Sequence, residues 1–69
     1  MSEEVEKLKN TAKNLELLPS KREKALKALG KIVTKEAVLA LLDVAGDSSL
    51  LPWERATAID QARKILKSL

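Results

Sequence analysis

Apolar residues recur along this chain at three- and four-residue steps, in four stretches set off by proline, glycine and capping residues. In the first, Val5, Leu8, Ala12, Leu15 and Leu18 share a helical face. Ser2 can cap its start, and Glu3 and Glu4 suit the positive end of the helix dipole. Pro19 ends it, so the pattern predicts a helix over 3–18. Ser20-Lys21-Arg22-Glu23 reads as a capping box opening a second helix over 21–29. Gly30 closes that helix as a residue that tolerates the left-handed C′ conformation. Ala25, Leu26, Leu29, Ile32 and Val33 fall on one arc, with Lys24, Lys27 and Lys31 opposite. Thr34 and Gly46 bracket a third helix over 35–45. "KEAVLALLDVA" is apolar on nearly every side, which predicts a central helix wrapped by the other three, with Leu39 set among Lys35, Glu36 and Asp43 in its narrow polar strip. Pro52 at N1 opens a fourth helix over 52–68, whose core face is Ala58, Ile59, Ala62, Ile65, Leu66 and Leu69. Strand signals are missing. Short connections favour antiparallel neighbours, so the expected fold is all-α, a compact antiparallel four-helix bundle forming one domain over 1–69.

Composition narrows the chemistry. The 69 residues include no Cys and no His, which removes disulfides, zinc fingers, thiol nucleophiles and imidazole bases. No Gly-rich phosphate loop or acid-pair motif occurs, so the expectation is a non-enzyme with no metal, no cofactor and no small-molecule substrate. A domain this short buries only about 60% of the surface its unfolded chain exposes, which points to support from self-association or a protein partner. Nothing resembles a membrane span, and the acidic, polar start is unlike a signal peptide, which leads to a cytoplasmic expectation. Abundant Lys and Glu without Cys also suits a thermophile. The net charge is +3, and the excess is concentrated in residues 19–36, which carry six basic and two acidic groups.

The stretch "KALKALGKIVTKEAVLALLDVAGD", followed by "ERATAIDQARKIL", resembles a HEAT-like repeat of the lyase type over roughly residues 22–66. The matching elements are Ala28-Leu29-Gly30-Lys31-Ile32, Glu36-Ala37-Val38, Leu41-Leu42, Asp47 and Arg55-Ala56, with a longer Asp-to-Arg spacing than the family pattern. The resemblance covers little more than one repeat and implies HEAT-like helical hairpins in a small bundle. It also implies a scaffold that binds proteins, and an Asp and an Arg that tie neighbouring helices together.

Three sets of residues stand out. Trp53, the single aromatic, falls on the polar side of its helix near Lys64 and Lys67. An aromatic beside basic residues suits a binding hot spot, and the alternative is a latch that folds back over Leu50 and Leu51. Arg55 projects toward the apolar arc, and an Arg there calls for a carboxylate. Asp43 and Asp47, at the unfavourable C-terminal end of the third helix dipole, are the expected partners in a structural ion-pair trio. Lys21, Arg22, Lys24, Lys27, Lys31 and Lys35 could hold phosphates or form a solvated face.

These features lead to an expected protein-protein interaction module, an accessory subunit or adaptor. Its partner contacts would be Trp53, Lys64 and Lys67, with Leu39 and Leu17 as a second apolar contact. The alternative is a nucleic-acid-associated protein, or a subunit of a nucleic-acid enzyme, that sets the Lys-rich helix against phosphates. The third helix offers almost no groups to read base edges.

Overall fold

The computed structural model describes residues 2–69, which form α1 (Glu3–Ala12), α2 (Pro19–Leu29), α3 (Lys35–Ala45) and α4 (Pro52–Ser68) without strands. Ser2 caps α1, its hydroxyl accepting from the Val5 amide at 3.1 Å, and Thr34 caps α3 through the Ala37 amide at 3.2 Å. The all-α, four-helix architecture is the expected one, and α3 and α4 keep their expected limits. α1 does not: it ends at Ala12 instead of Leu18. Asn14 draws the chain out of the helix, its Oδ1 accepting from the Glu16 amide at 2.9 Å in place of a helical bond. Leu15 and Leu18 therefore lie in an exposed turn although they keep the helical spacing. Nor does the Ser20–Glu23 capping box form. α2 starts with Pro19 after an extended Leu18, because proline's fixed φ and missing N–H suit the first helical position, which places Ser20 inside the first turn.

Neither glycine adopts the left-handed conformation. Gly30 has φ −64° and Gly46 φ −85°. Gly30 instead lets the side-chain amide of Gln61 in α4 lie against it; a Cβ there would require that flexible end to move.

Two copies of one helical hairpin build the molecule. Leu17-Leu18-Pro19 and Leu50-Leu51-Pro52 stand 33 positions apart, and the same shift superposes Val5 on Val38, Leu8 on Leu41, Ala12 on Ala45, Arg22 on Arg55 and Ile32 on Ile65. The backbone repeats with it. Leu18 and Leu51 both precede their helix in the same extended state, at φ −64°, ψ 148° and φ −66°, ψ 147°. Asn14 and Asp47 each accept the amide two residues ahead and the same turn bonds flank them, Leu17 to Asn14 at 3.1 Å and Leu50 to Asp47 at 3.1 Å. Unit 1 is thus α1–turn–α2 and unit 2 is α3–turn–α4.

Within unit 2 the helices run antiparallel. Lys35 at the start of α3 shares a groove with Leu66 and Leu69 at the end of α4, and Arg55 at the start of α4 reaches Ala45 at the end of α3. Between units the stacking is parallel: Lys9 and Lys13 of α1 meet Asp43 and Asp47 in order along α3, and Arg22 and Gly30 of α2 meet Glu54 and Gln61 in order along α4. The core holds Val5, Leu26, Leu29, Leu41, Val44, Leu50 and Ile65.

The helix α3 touches all three others, yet it is not wrapped by them. Ala37, Val38, Ala40, Leu41 and Val44 are buried, whereas Leu39 and Leu42 face solvent along one flank. Ile59, Leu66 and Leu69, expected in the core face of α4, are exposed as well, and so is Val33 at the end of the second apolar arc. The reason is the stacking. Unit 2 has a neighbour on one side only, so half of its apolar circumference has nothing to pack against.

Candidate interaction surface

Each unit has two broad faces. Unit 1 turns one face onto unit 2 and exposes the other; unit 2 does the reverse. Unit 1 meets unit 2 along Lys9, Lys13, Arg22, Leu26 and Gly30, and the equivalent positions of unit 2, Leu42, Gly46, Arg55, Ile59 and Arg63, have no neighbouring hairpin; comparing the two sets defines the site.

On the buried face the contact is polar at its edges and apolar inside. Arg22 donates to Glu54 through Nε at 2.6 Å and through Nη2 at 3.0 Å, and neither side chain is appreciably exposed. Nη1 of Arg22 also donates to the Leu17 carbonyl at 2.6 Å, and Glu54 Oε1 accepts from the Leu51 amide at 3.0 Å. The two-pronged bond from Arg22 holds the Glu54 carboxyl below its usual range against the opposing effect of burial, and the same bond raises the Arg22 guanidinium. Along α1, Lys13 reaches Asp43 at 3.1 Å and Asp47 at 3.7 Å. Its hydrogen bond to Asp43 raises its pKa, and bonds from Ser49, with help from Lys13, lower that of Asp47.

The equivalent positions of unit 2 are open, and beside them lies an apolar strip whose Leu66 is the counterpart of the exposed Val33. Val38, Leu39, Leu66 and Leu69, with Lys35 at the rim, line an open groove of about 190 Å³ between α3 and α4. Leu39 is 59% exposed and Leu66 56%. Leu42 and Ile59 continue the apolar strip on the same flanks of their helices, at helical steps from Leu39 and Leu66. Position by position the contrast is direct: Leu26 is fully buried and its counterpart Ile59 is 39% exposed. Gly30 is buried and its counterpart Arg63 is exposed. Arg22 is paired and its counterpart Arg55 has no ion pair among the described residues; its Nε donates to the Ala45 carbonyl at 2.7 Å.

The expected trio of Asp43, Asp47 and Arg55 is therefore not formed. Lys13 takes both carboxylates, because the parallel stacking lays α1 against the end of α3, while Arg55 caps the α3 carbonyl end from the other side. Arg22 leaves the phosphate-binding set, since its guanidinium is buried against Glu54. Lys21, Lys24, Lys27, Lys31 and Lys35 remain exposed, and Lys27 pairs with Glu23 at 3.6 Å. Trp53, Lys64 and Lys67 share one exposed side of α4, but Trp53 stands about 16 Å along the axis from Lys64. They face away from the groove that contains Leu39. Leu17 is half-buried in the first turn, distant in the fold from Leu39. Three elements of the surface have no place in the sequence expectation: the Arg22–Glu54 pair, the duplication, and the exposure of Leu66 and Ile59. The repeated Leu-Leu-Pro was the available signal for the duplication.

Among the described residues no group of acidic side chains is arranged to hold a metal ion, and no helix is long and apolar enough to cross a membrane. No protein-family model, curated protein or solved structure matches the chain.

Proposed function

We propose that this chain is a non-enzymatic protein-protein interaction module, a small accessory subunit or adaptor, and that the α3–α4 groove is its docking surface. The observation that supports this is the mismatch between equivalent positions of the two units. Lys9 and Leu26 lie under a neighbouring hairpin, their counterparts Leu42 and Ile59 stand in water, and Leu39, Leu66 and Leu69 extend that apolar strip. So much contiguous apolar surface on so small a molecule marks an interaction site. The HEAT-like resemblance of the sequence implies the same scaffold role. Trp53, Lys64 and Lys67 form a separate exposed side that a large partner could also touch.

Site-specific photo-crosslinking in cells that make the protein tests the reading. A crosslinker at Leu39 or Leu66 should capture a discrete protein, one at Lys24 should not, and Leu42→Asp should abolish capture from Leu39. Absence of any product from the groove positions overturns the reading. The alternative, phosphate contact by Lys21, Lys24 and Lys31 on the exposed side of α2, predicts nucleic-acid binding that falls steeply as salt rises, and it would be indifferent to Leu42→Asp.

A further inference from the structure

Resting on that reading, the duplication says what kind of partner fits. Unit 2 already shows how this face is covered once: unit 1 receives a parallel-stacked hairpin whose second helix brings Glu54 to Arg22 and Gln61 to Gly30. Shifted by one unit, the same positions on the open face are Arg55 and Arg63. Arg55 has no carboxylate among the described residues, and Arg63 is an exposed cation where unit 1 has a glycine. Lys35 adds positive charge at the groove rim. The counterparts of Lys9 and Lys13, which meet Asp43 and Asp47 in the covered contact, are Leu42 and Gly46, so an occupant needs apolar and not acidic groups along α3.

We infer that the open face takes a helical hairpin of another protein, stacked as unit 2 stacks on unit 1. Its first helix meets Leu39 and Leu42 with apolar groups, and its second carries two carboxylates seven residues apart for Arg55 and Arg63. The occupant is not a second copy stacked in the same sense. The outer face of unit 1 has Lys21 where Glu54 stands and Ala28 where Gln61 stands, which would set Lys21 against Arg55. A repulsive contact of this kind rejects a wrong partner as effectively as a good contact selects the right one. The copy's α1 would also offer the polar Asn10, the counterpart of Asp43, to Leu42.

The test uses a whole-chain probe that keeps its own core. Its outer unit-1 face is rebuilt with N10L, K21E and A28E, and its own open face is blocked with L42K and I59K. Mixed with the wild-type chain and followed by sedimentation velocity and titration calorimetry, this probe should form a 1:1 complex. In the wild-type chain, Ile59→Asp, at the counterpart of the covered Leu26, should abolish the complex. Arg63→Glu should weaken it about tenfold or more, and changing position 28 of the probe from Glu to Lys should restore it. Arg55→Lys should weaken it less than Arg55→Ala, because one ammonium replaces a two-pronged guanidinium. Far-UV circular dichroism of each variant separates loss of binding from loss of fold.

Complex formation that ignores Arg55, Arg63 and the charge at position 21 overturns the carboxylate assignment and leaves the groove as a docking surface. If the wild-type chain alone forms a dimer that Leu66→Asp dissociates, a second copy occupies the groove and the inference fails. No complex at all, with capture from Leu39 still observed in cells, overturns the hairpin chemistry but not the interaction module. No complex and no capture removes both.

Discussion

Unit 1 and unit 2 share turn geometry, helix starts and much of their inner sequence, yet Leu26 is sealed and Ile59 is wet. The difference is not in the residues, both of which are large and aliphatic, but in what stands next to them. A helical hairpin has two faces to cover, and a stack of two units covers only the inner pair. The ends then diverge in composition. The outer face of unit 1 is polar, with Asn10, Lys21 and Lys24 exposed. The outer face of unit 2 is apolar. One end of the stack is finished for water and the other is not, and this asymmetry is the basis for assigning a function to the second.

The contrast can be broken most strongly at the polar edge of the covered face. Glu54→Ala strands the Arg22 guanidinium in the interior and should cost about 3–5 kcal/mol, enough to unfold most of a domain this small. Chemical denaturation followed by circular dichroism measures it, and a loss below about 1 kcal/mol would mean that the pair does not join the units. Next come the matched truncations. Leu26→Ala should cost about 2–5 kcal/mol, as for a fully buried leucine, whereas Ile59→Ala at the equivalent, 39% exposed position should cost roughly 1–2 kcal/mol. Equal losses at the two positions would mean that the outer flank of α4 is covered in the isolated chain.

Acid should reproduce part of the Glu54 effect. Its folded pKa lies below the ordinary carboxylate value, so its contribution is complete above that value and disappears as the pH falls through the folded one. Asp47 acts in the same direction. The melting temperature of the wild-type chain should therefore drop on acidification below about pH 4.5. In Glu54→Gln the drop should be shallower, measured from a lower starting point. Lys13 has the opposite sign: its raised pKa gives stability that is complete below the ordinary lysine value and is lost as the pH climbs through the folded one.

Arg55→Ala probes the uncovered counterpart of Arg22. It gives up one bond to the Ala45 carbonyl and should lower stability by about 0.5–1.5 kcal/mol, clearly less than loss of Glu54. Leu66→Asp in the groove should cost about 1 kcal/mol, mostly from aspartate's poor helix propensity and its place at the C-terminal end of the α4 dipole, while it removes docking. A large destabilisation there would show that the groove is part of the fold and not a free surface.

The residues explain how far reading the chain could go. Proline and glycine positions, the Thr34 cap and the density of apolar residues in "KEAVLALLDVA" are local signals, and they gave α3 and α4 their limits. Leu15 and Leu18 show where local signals mislead: their spacing is helical, but the Glu16 amide donates to the Asn14 side chain and the chain turns out of the helix there. Arg22 was one of six basic groups with nothing in the sequence to mark it, because its partner Glu54 lies 32 positions away and becomes a neighbour only on stacking. The duplication was present in the letters, in Leu-Leu-Pro twice, but Val5 and Val38 matter as a pair only once each is seen to occupy the same place in its hairpin.

What the sequence determined by itself was therefore local: four helices, the Ser2 and Thr34 caps, the proline starts, and the absence of Cys and His chemistry. Burial and pairing were decided by the tertiary structure. Whether a leucine on an apolar arc is core or surface depends on the presence of a neighbouring hairpin, and whether an arginine is a ligand or a strut depends on which carboxylate the stack brings within 3 Å of it. Hydrophobic burial and ion pairing act between surfaces, and the relative placement of two surfaces is fixed only when the helices pack.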